Sequence, residues 1–286
     1  MKIHSDCRPC LMRQVRRTAL AAGADEDLIH SIEKAAARGL ESAWDEDESP
    51  PVISTGLYRT VERMSGCDDP YLPQKITYTR EALKLLPVIE TLVENSRDPF
   101  DAAVRISIAG NVIDFGTGNQ DGKFNLAAVM EEYLHKPIFH DDIPKLKESV
   151  LMARRILFLG DNAGETVFDR PLLSILPEGK VTYAAKGGAI INDATVADAR
   201  LAGIHRYAEL VSTGARTPGT IRKMCSRDFQ KLFSEADLII SKGQGNFETL
   251  TEEKPDGRMF MLFIVKCDVA AEYLGGSVGD MVAMRW

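Results

Sequence analysis

The stretch FLGDNAGETVFD, Phe158 to Asp169, sets a carboxylate, a carboxamide and a second carboxylate (Asp161, Asn162, Glu165) directly behind an apolar run. A helix start is capped by one Asp or Asn, so two in succession exceed that need. The pattern recurs. Asn192 and Asp193 follow KVTYAAKGG, the run Lys242-Gly243-Gln244-Gly245-Asn246 follows DLIIS, and Lys266 follows MFMLFIV. Hard divalent cations take oxygen ligands, and Asp161, Asn162 and Asp193 offer three. Such an ion polarises a phosphoryl oxygen and orients a water. Lys242 and Lys266 are suited to offsetting phosphate charge, and the backbone N–H groups of Gly243 to Gly245 to cradling its oxygens. The chemistry this favours is hydrolysis of a phosphate ester assisted by Mg²⁺, Mn²⁺, Co²⁺ or Ni²⁺. Each piece also has a plainer reading: Asp161-Asn162 and Asn192-Asp193 as helix caps, SKGQGN as a turn that needs Gly. What favours the chemical reading is recurrence at successive strand ends.

Those strand ends follow from the texture of the chain. From about Arg154 onward, short apolar runs (RILFLG, KVTYAA, AELVST, DLIISKG, RMFMLFIVK) alternate with helical patterns such as TVFDRPLLSIL, DATVADARLAG and TIRKMCSRDFQKLFSEA. Buried strands separated by helices read as βαβ units, hence a mostly parallel sheet covered on both faces. Ligands in such folds bind beyond the carboxyl ends of the strands. Residues 1–150 read instead as mainly helical: LMRQVRRTALAAG, DLIHSIEKAAARGLESAW and REALKLLPVIETLVENS carry apolar residues at three- and four-residue spacing. Connectors rich in acid and proline (DEDESPP, SGCDDPYLP, NSRDPF) separate them. The expected architecture is a three-layer α/β/α sandwich over 151–286, preceded by a helical region over 1–150 that caps the site.

The chain of 286 residues is long enough for that arrangement, and its net charge of -7 argues against a general nucleic-acid binder. No apolar run is long enough to span a membrane, and the N-terminus lacks the apolar stretch of a signal peptide. Five cysteines with one close pair fit a reducing compartment. A cytoplasmic protein acting on a small molecule is expected, with no nucleic-acid or membrane partner; the oligomeric state is not legible.

GDNAGE, the NDAT segment, SKGQGNFETL and the Lys-Cys-Asp ending together resemble the damage-control phosphatase family, formerly a domain of unknown function. The likeness extends to Cys7-Arg8-Pro9-Cys10, to Asp69–Tyr71 with Lys75 beyond, and to AGNVIDFG at Ala109–Gly116, so it covers nearly the whole chain. The paired cysteines match the prokaryotic-type branch. The resemblance implies a helical domain before an α/β/α core, a single divalent metal, and phosphatase activity on sugar phosphates or damaged phosphometabolites. By matching position it implies Asp161, Asn162 and Asp193 as metal ligands, with Lys242, Asn246 and Lys266 lining the phosphate side. A related branch carries Arg-Thr shortly before the lysine that matches Lys266. Here the stretch reads Phe263-Ile264-Val265-Lys266, so that branch's substrate range does not carry over.

Asn111 and Asp114 either approach the pocket from the helical half or close an Asx turn. Glu165 either orients a water or simply favours the helix dipole. In HSDCRPC, His4, Cys7 and Cys10 supply three of the four ligands of a structural zinc site, and Cys67 or Cys267 is a candidate fourth; the pair could instead be redox-active at a helix start. Two further functions have some support in the sequence. A non-catalytic metal or redox module would centre on that cysteine pair. A Rossmann-like nucleotide-dependent enzyme would need G-x-G-x-x-G after the first strand, where this chain has the acidic GDNAGE. Within the phosphatase reading, water attack is favoured over an aspartyl-phosphate on Asp161, because Asp161 is followed by Asn-Ala and no acid stands two residues on.

Overall fold

Four runs of the chain are mostly apolar on both faces, and they become the centre of one sheet. They are β2 (Ile156–Leu159), β3 (Val181–Ala185), β5 (Leu238–Lys242) and β6 (Met259–Ile264). The structure is a computed structural model, described here over residues 1–110 and 126–286. Three further strands complete the sheet: β1 (Ile138–Asp141), β4 (Glu209–Ser212) and β7 (Met281–Arg285). The order is β1-β7-β6-β5-β2-β3-β4. Strands β6, β5, β2, β3 and β4 are mutually parallel, whereas β7 runs antiparallel to β6 and β1 lies parallel to β7. The mostly parallel α/β sandwich expected from the apolar runs is therefore present. It gains two strands that sequence reading passed over, one of them, β1, drawn from before residue 150.

Alternation along each strand divides the core in two. Ile156, Phe158, Leu238, Ile240, Phe260 and Leu262 point to one side. There they meet α4 (Leu72–Glu94), α5 (Pro99–Ala109), α7 (Ile143–Met152) and α8 (Arg170–Ile175). Leu157, Leu159, Ile239, Met261 and Phe263 point to the other, toward α10 (Arg227–Glu235), α11 (Gln244–Leu250) and α12 (Asp268–Leu274). A third apolar cluster joins α1 (Cys7–Ala21), α2 (Glu26–Ala43) and α3 (Pro50–Ser65) to each other. The remaining helices are α6 (Leu126–His135) and α9 (Val196–Leu201). The stretch read as one helix from Thr166 begins as a 3-10 helix, Gly164–Asp169, before α8.

Strand order locates the binding crevice. From β2 the chain steps outward through β3 to β4, then returns to β5 and steps the other way to β6. The direction of winding reverses between β2 and β5, and connections leaving adjacent strand ends to opposite faces open a gap there. The residues immediately beyond those two ends are Gly160-Asp161 and Gly243-Gln244. None of the described helices is long and apolar enough to cross a membrane.

Candidate active site

Two turns meet at this gap. The backbone beyond β2 pairs with the loop beyond β3 through an isolated bridge between Asn162 and Asp193. Ala163 N–H donates to Asn192 O at 2.9 Å and Ala194 N–H to Asp161 O at 2.7 Å. These bonds fix Asp161, Asn162 and Asp193 as neighbours by main-chain geometry, before any side chain is considered. Asn162 Nδ2 donates to Asp161 Oδ2 at 3.0 Å and to Glu165 Oε2 at 3.1 Å. The amide thereby gathers two carboxylates and leaves its Oδ1 as the atom able to ligate a cation. Gly243, at φ +82, closes the other wall: a Cβ there would lie 2.0 Å from Asp161 Oδ2, so only glycine lets the Asp161 carboxylate lie against β5.

Asp161, Glu165 and Asp193 are all buried. Burial, with the Glu165 and Asp193 charges added, pushes the Asp161 carboxyl up to about 8. Burial likewise raises Asp193, against the pull of Lys186 and Lys266. Asp193 Oδ2 is enclosed without a hydrogen-bond partner among the described residues, and the Lys186 ammonium stands 3.4 Å from it. A cluster of buried carboxyls, with an Asp193 oxygen that accepts no hydrogen bond from the described residues and is paired with the Lys186 ammonium, fits a hard divalent ion. Among the described residues no three His, Cys, Asp or Glu side chains are grouped so as to hold an ion by themselves. A cation at this rim would draw on Asp161, Asp193 and the Asn162 carbonyl, with solvent completing its shell, the mixed oxygen set that ions such as Mg²⁺ accept.

The lysines divide by depth. Lys266 is exposed, and its charge lowers both Asp161 and Asp193, so it overlooks the rim. Lys242, expected at the phosphate, lies beneath the site instead. It is fully enclosed, with Nζ donating to Glu165 Oε1 at 2.9 Å and to Asp169 Oδ1 at 2.7 Å. Burial opposes its charge, but Asp169 and Glu165 outweigh that and raise its pKa. Ser107 Oγ and Tyr183 OH complete the set with bonds to Asp169 of 2.7 and 2.9 Å. Asn246 is equally deep: Nδ2 donates to Lys242 O at 2.7 Å and Oδ1 accepts from Thr220 Oγ1 at 2.7 Å. It pins the end of β5. Gly243 N–H is engaged by Leu262 O at 3.0 Å. The first bond of α11 runs from Phe247 N–H to Gly243 O, so the N–H groups of residues 244–246 precede the intrahelical ladder.

The structure thus brings together Asp161, Asn162, Glu165, Asp193, Gly243 and Lys266, and sets Lys242 and Asn246 below them. Asn111 and Asp114 lie outside the described residues. As for His4, Cys7 and Cys10, His4 is exposed against Asp6, 3.3 Å away, all five cysteines are free, and no three His, Cys, Asp or Glu among the described residues are grouped around an ion-sized space. Burial raises the Cys7 thiol, and Glu248, Cys267 and Cys10 add to it, the opposite of an activated thiolate. Sequence reading missed Lys186, Asp169, Ser107 and Tyr183. Lys186 stands one residue beyond β3, where the strand-end rule would have found it.

A cleft leads away from the rim between the N-terminal helices and the loop before Asp193. One cavity of about 520 Å³ is bounded by Arg17, Tyr58, Tyr71, Tyr78 and Asn192. A second of about 320 Å³ lies past Tyr58 and Ile191, beside Arg59 and Arg216. Both volumes are in the range of small-molecule sites. Ile191, which lines both, has φ +39, a conformation a β-branched residue adopts only where its surroundings impose it.

Residues 3–282 match the family model described as the damage-control phosphatase ARMT1-like domain. The chain belongs to that family. It is 35% identical, over 100% of its length and 98% of the relative's, to a protein of Pyrococcus horikoshii named damage-control phosphatase. It is 33% identical to a damage-control phosphatase of Archaeoglobus fulgidus, over 99% of both chains. The crystal structure of a DUF89 family protein from Pyrococcus horikoshii superposes with a TM-score of 0.92 at 35% identity, covering 100% of this chain and 99% of the other. Family membership thus accords with the resemblance carried by GDNAGE, NDAT and SKGQGNFETL.

Proposed function

We propose that the protein is a divalent-metal-dependent phosphatase that hydrolyses phosphate monoesters of small metabolites, sugar phosphates or damaged phosphometabolites among them. The observation that carries the reading is the meeting of Asp161, Asn162 and Asp193 at the β2/β5 reversal, with an Asp193 oxygen that accepts no hydrogen bond from the described residues. The names of the relatives support a phosphatase. Mg²⁺, Mn²⁺, Co²⁺ or Ni²⁺ would be held by Asp161, Asn162 and Asp193. When bound, such an ion supplies charge neutralisation at the phosphoryl group and acidifies a water.

The chain's own residues do the rest. Lys186 and Lys266 offset phosphate charge from two sides, and the N–H groups of residues 244–246 face the same gap. Glu165, anchored through Oε1 by Lys242 and through Oε2 by Asn162, is fixed in position to take a proton from an attacking water. Water attack is preferred to an aspartyl-phosphate because Asp161 is crowded by Asn162 and Gly243, and no acid stands two residues beyond it to protonate a leaving group. The leaving group extends into the cleft lined by Tyr58, Tyr71 and Tyr78. The raised Cys7 thiol and the acidic turn after β2 favour neither a redox module nor a dinucleotide site.

The test is release of p-nitrophenol from p-nitrophenyl phosphate across a matrix of the four metals. Metal-dependent turnover that Asp161→Ala and Asp193→Ala abolish is expected. Turnover indifferent to metal and to both substitutions would defeat the reading.

A further inference from the structure

Helix α4 touches both metal-site turns with one face. Lys75, Tyr78 and Thr79 stand at positions i, i+3 and i+4, which lie together on a helix. Lys75 is buried to 2% exposure, and its Nζ stands 2.7 Å from Asp69 Oδ2 and 3.1 Å from Asp198 Oδ2. The same Asp198 oxygen accepts from Thr195 N–H at 2.9 Å and Thr195 Oγ1 at 2.6 Å, and Asp198 N–H donates back to Thr195 Oγ1. This capping box fixes the backbone two residues beyond Asp193. One turn along α4, Tyr78 and Thr79 press on the other site turn: a Cβ on Gly164 would meet Tyr78 Cβ at 3.0 Å and the Tyr78 carbonyl carbon at 3.3 Å.

Two main-chain bonds, Ala163 N–H to Asn192 O and Ala194 N–H to Asp161 O, tie the turns where they cross. Contacts from α4 brace the outer side of each turn. The geometry points to α4 as a strut that sets the angle between the two turns, with Lys75 as the positioning residue for Asp193, acting through Asp198 and Thr195. The inference rests on the metal site proposed above. Its chemical logic is that of any ligand oriented by partners outside its own coordination shell, whose removal weakens metal binding by about 10- to 100-fold. Lys75 suits the task because a buried cation shared by two carboxylates cannot leave without stranding both.

The experiment titrates Mn²⁺ into the full-length, metal-stripped protein and its variants and follows free Mn²⁺ by electron paramagnetic resonance, beside a melting curve for each. Lys75→Met and Gly164→Ala are expected to weaken Mn²⁺ binding by about tenfold or more. Asp198→Asn keeps the volume of the side chain and carries the test should Lys75→Met not fold. Leu86→Ala, a core substitution three turns along the same helix, is expected to lower the melting temperature and leave Mn²⁺ binding unchanged. If the Lys75 and Asp198 variants bind Mn²⁺ as the unaltered protein does, while Asp161→Ala does not, the strut is overturned and the metal site stands. Equal weakening by Leu86→Ala overturns it too, since the effect is then one of stability. If the unaltered protein takes up no Mn²⁺, the metal reading falls and this one with it.

Discussion

Asp161 gives the site a pH signature of its own. Its carboxyl is raised from the ordinary carboxylate range to about 8 by burial and by Glu165 and Asp193. The folded, metal-free protein therefore binds a proton that the unfolded chain releases near pH 4. The contribution of this carboxyl to stability is then full below that point and is lost as pH rises toward 8, because the folded state holds more protons across the window. In chelator, the melting temperature is expected to fall between pH 5 and 8, and Asp161→Asn to flatten the slope. A melting temperature that climbs across that window would show that Asp161 ionises freely. Gly243 offers a second residue-scale check. Since a Cβ there overlaps the Asp161 carboxylate, Gly243→Ala must displace the turn, and misplacement on the ångström scale costs catalysis roughly 100-fold. The comparison is kcat/KM of the variant against the unaltered protein on p-nitrophenyl phosphate.

Elements explain which parts of the site could be read in advance. Strands β2, β3, β5 and β6 are buried on both faces, so each wrote an unbroken apolar run, and the polar residues after each run could be assigned to one rim. Strands β1 and β4 at the sheet margins are short and half-exposed, and β1 left too little apolar signal to stand out from the helical half. Depth was not legible. Lys242 follows a buried strand just as a phosphate ligand would, and only the fold brings Glu165 and Asp169 round to enclose it from 77 and 73 positions away. Asp169 was hidden because its segment read as an ordinary helix. The burial of Lys242 has a measurable consequence: Lys242→Met leaves two enclosed carboxylates without their cation, a loss of about 3–5 kcal/mol. Chemical denaturation should show it even where no substrate is present, which a lysine serving only phosphate would not do.

At the scale of the whole molecule, the described residues form three apolar clusters, one of them made by α1, α2 and α3. Tyr58 from α3 and Arg17 from α1 form one bank of the cleft, whereas Ile191 and Asn192 form the other. A molecule lodged there touches both banks and is bound only while they face each other. Mass action then makes any occupant a further fastener between the two banks, beside the ion pairs of Arg216 with Glu62 and Lys223 with Glu48. Amide hydrogen exchange along α1 and α3 should slow when inorganic phosphate and Mn²⁺ are added, with the central strands already too well protected to respond. The enzyme's grip on its substrate would thus be visible in the quietest way available, as deuterium that fails to enter two helices bearing none of the reacting groups.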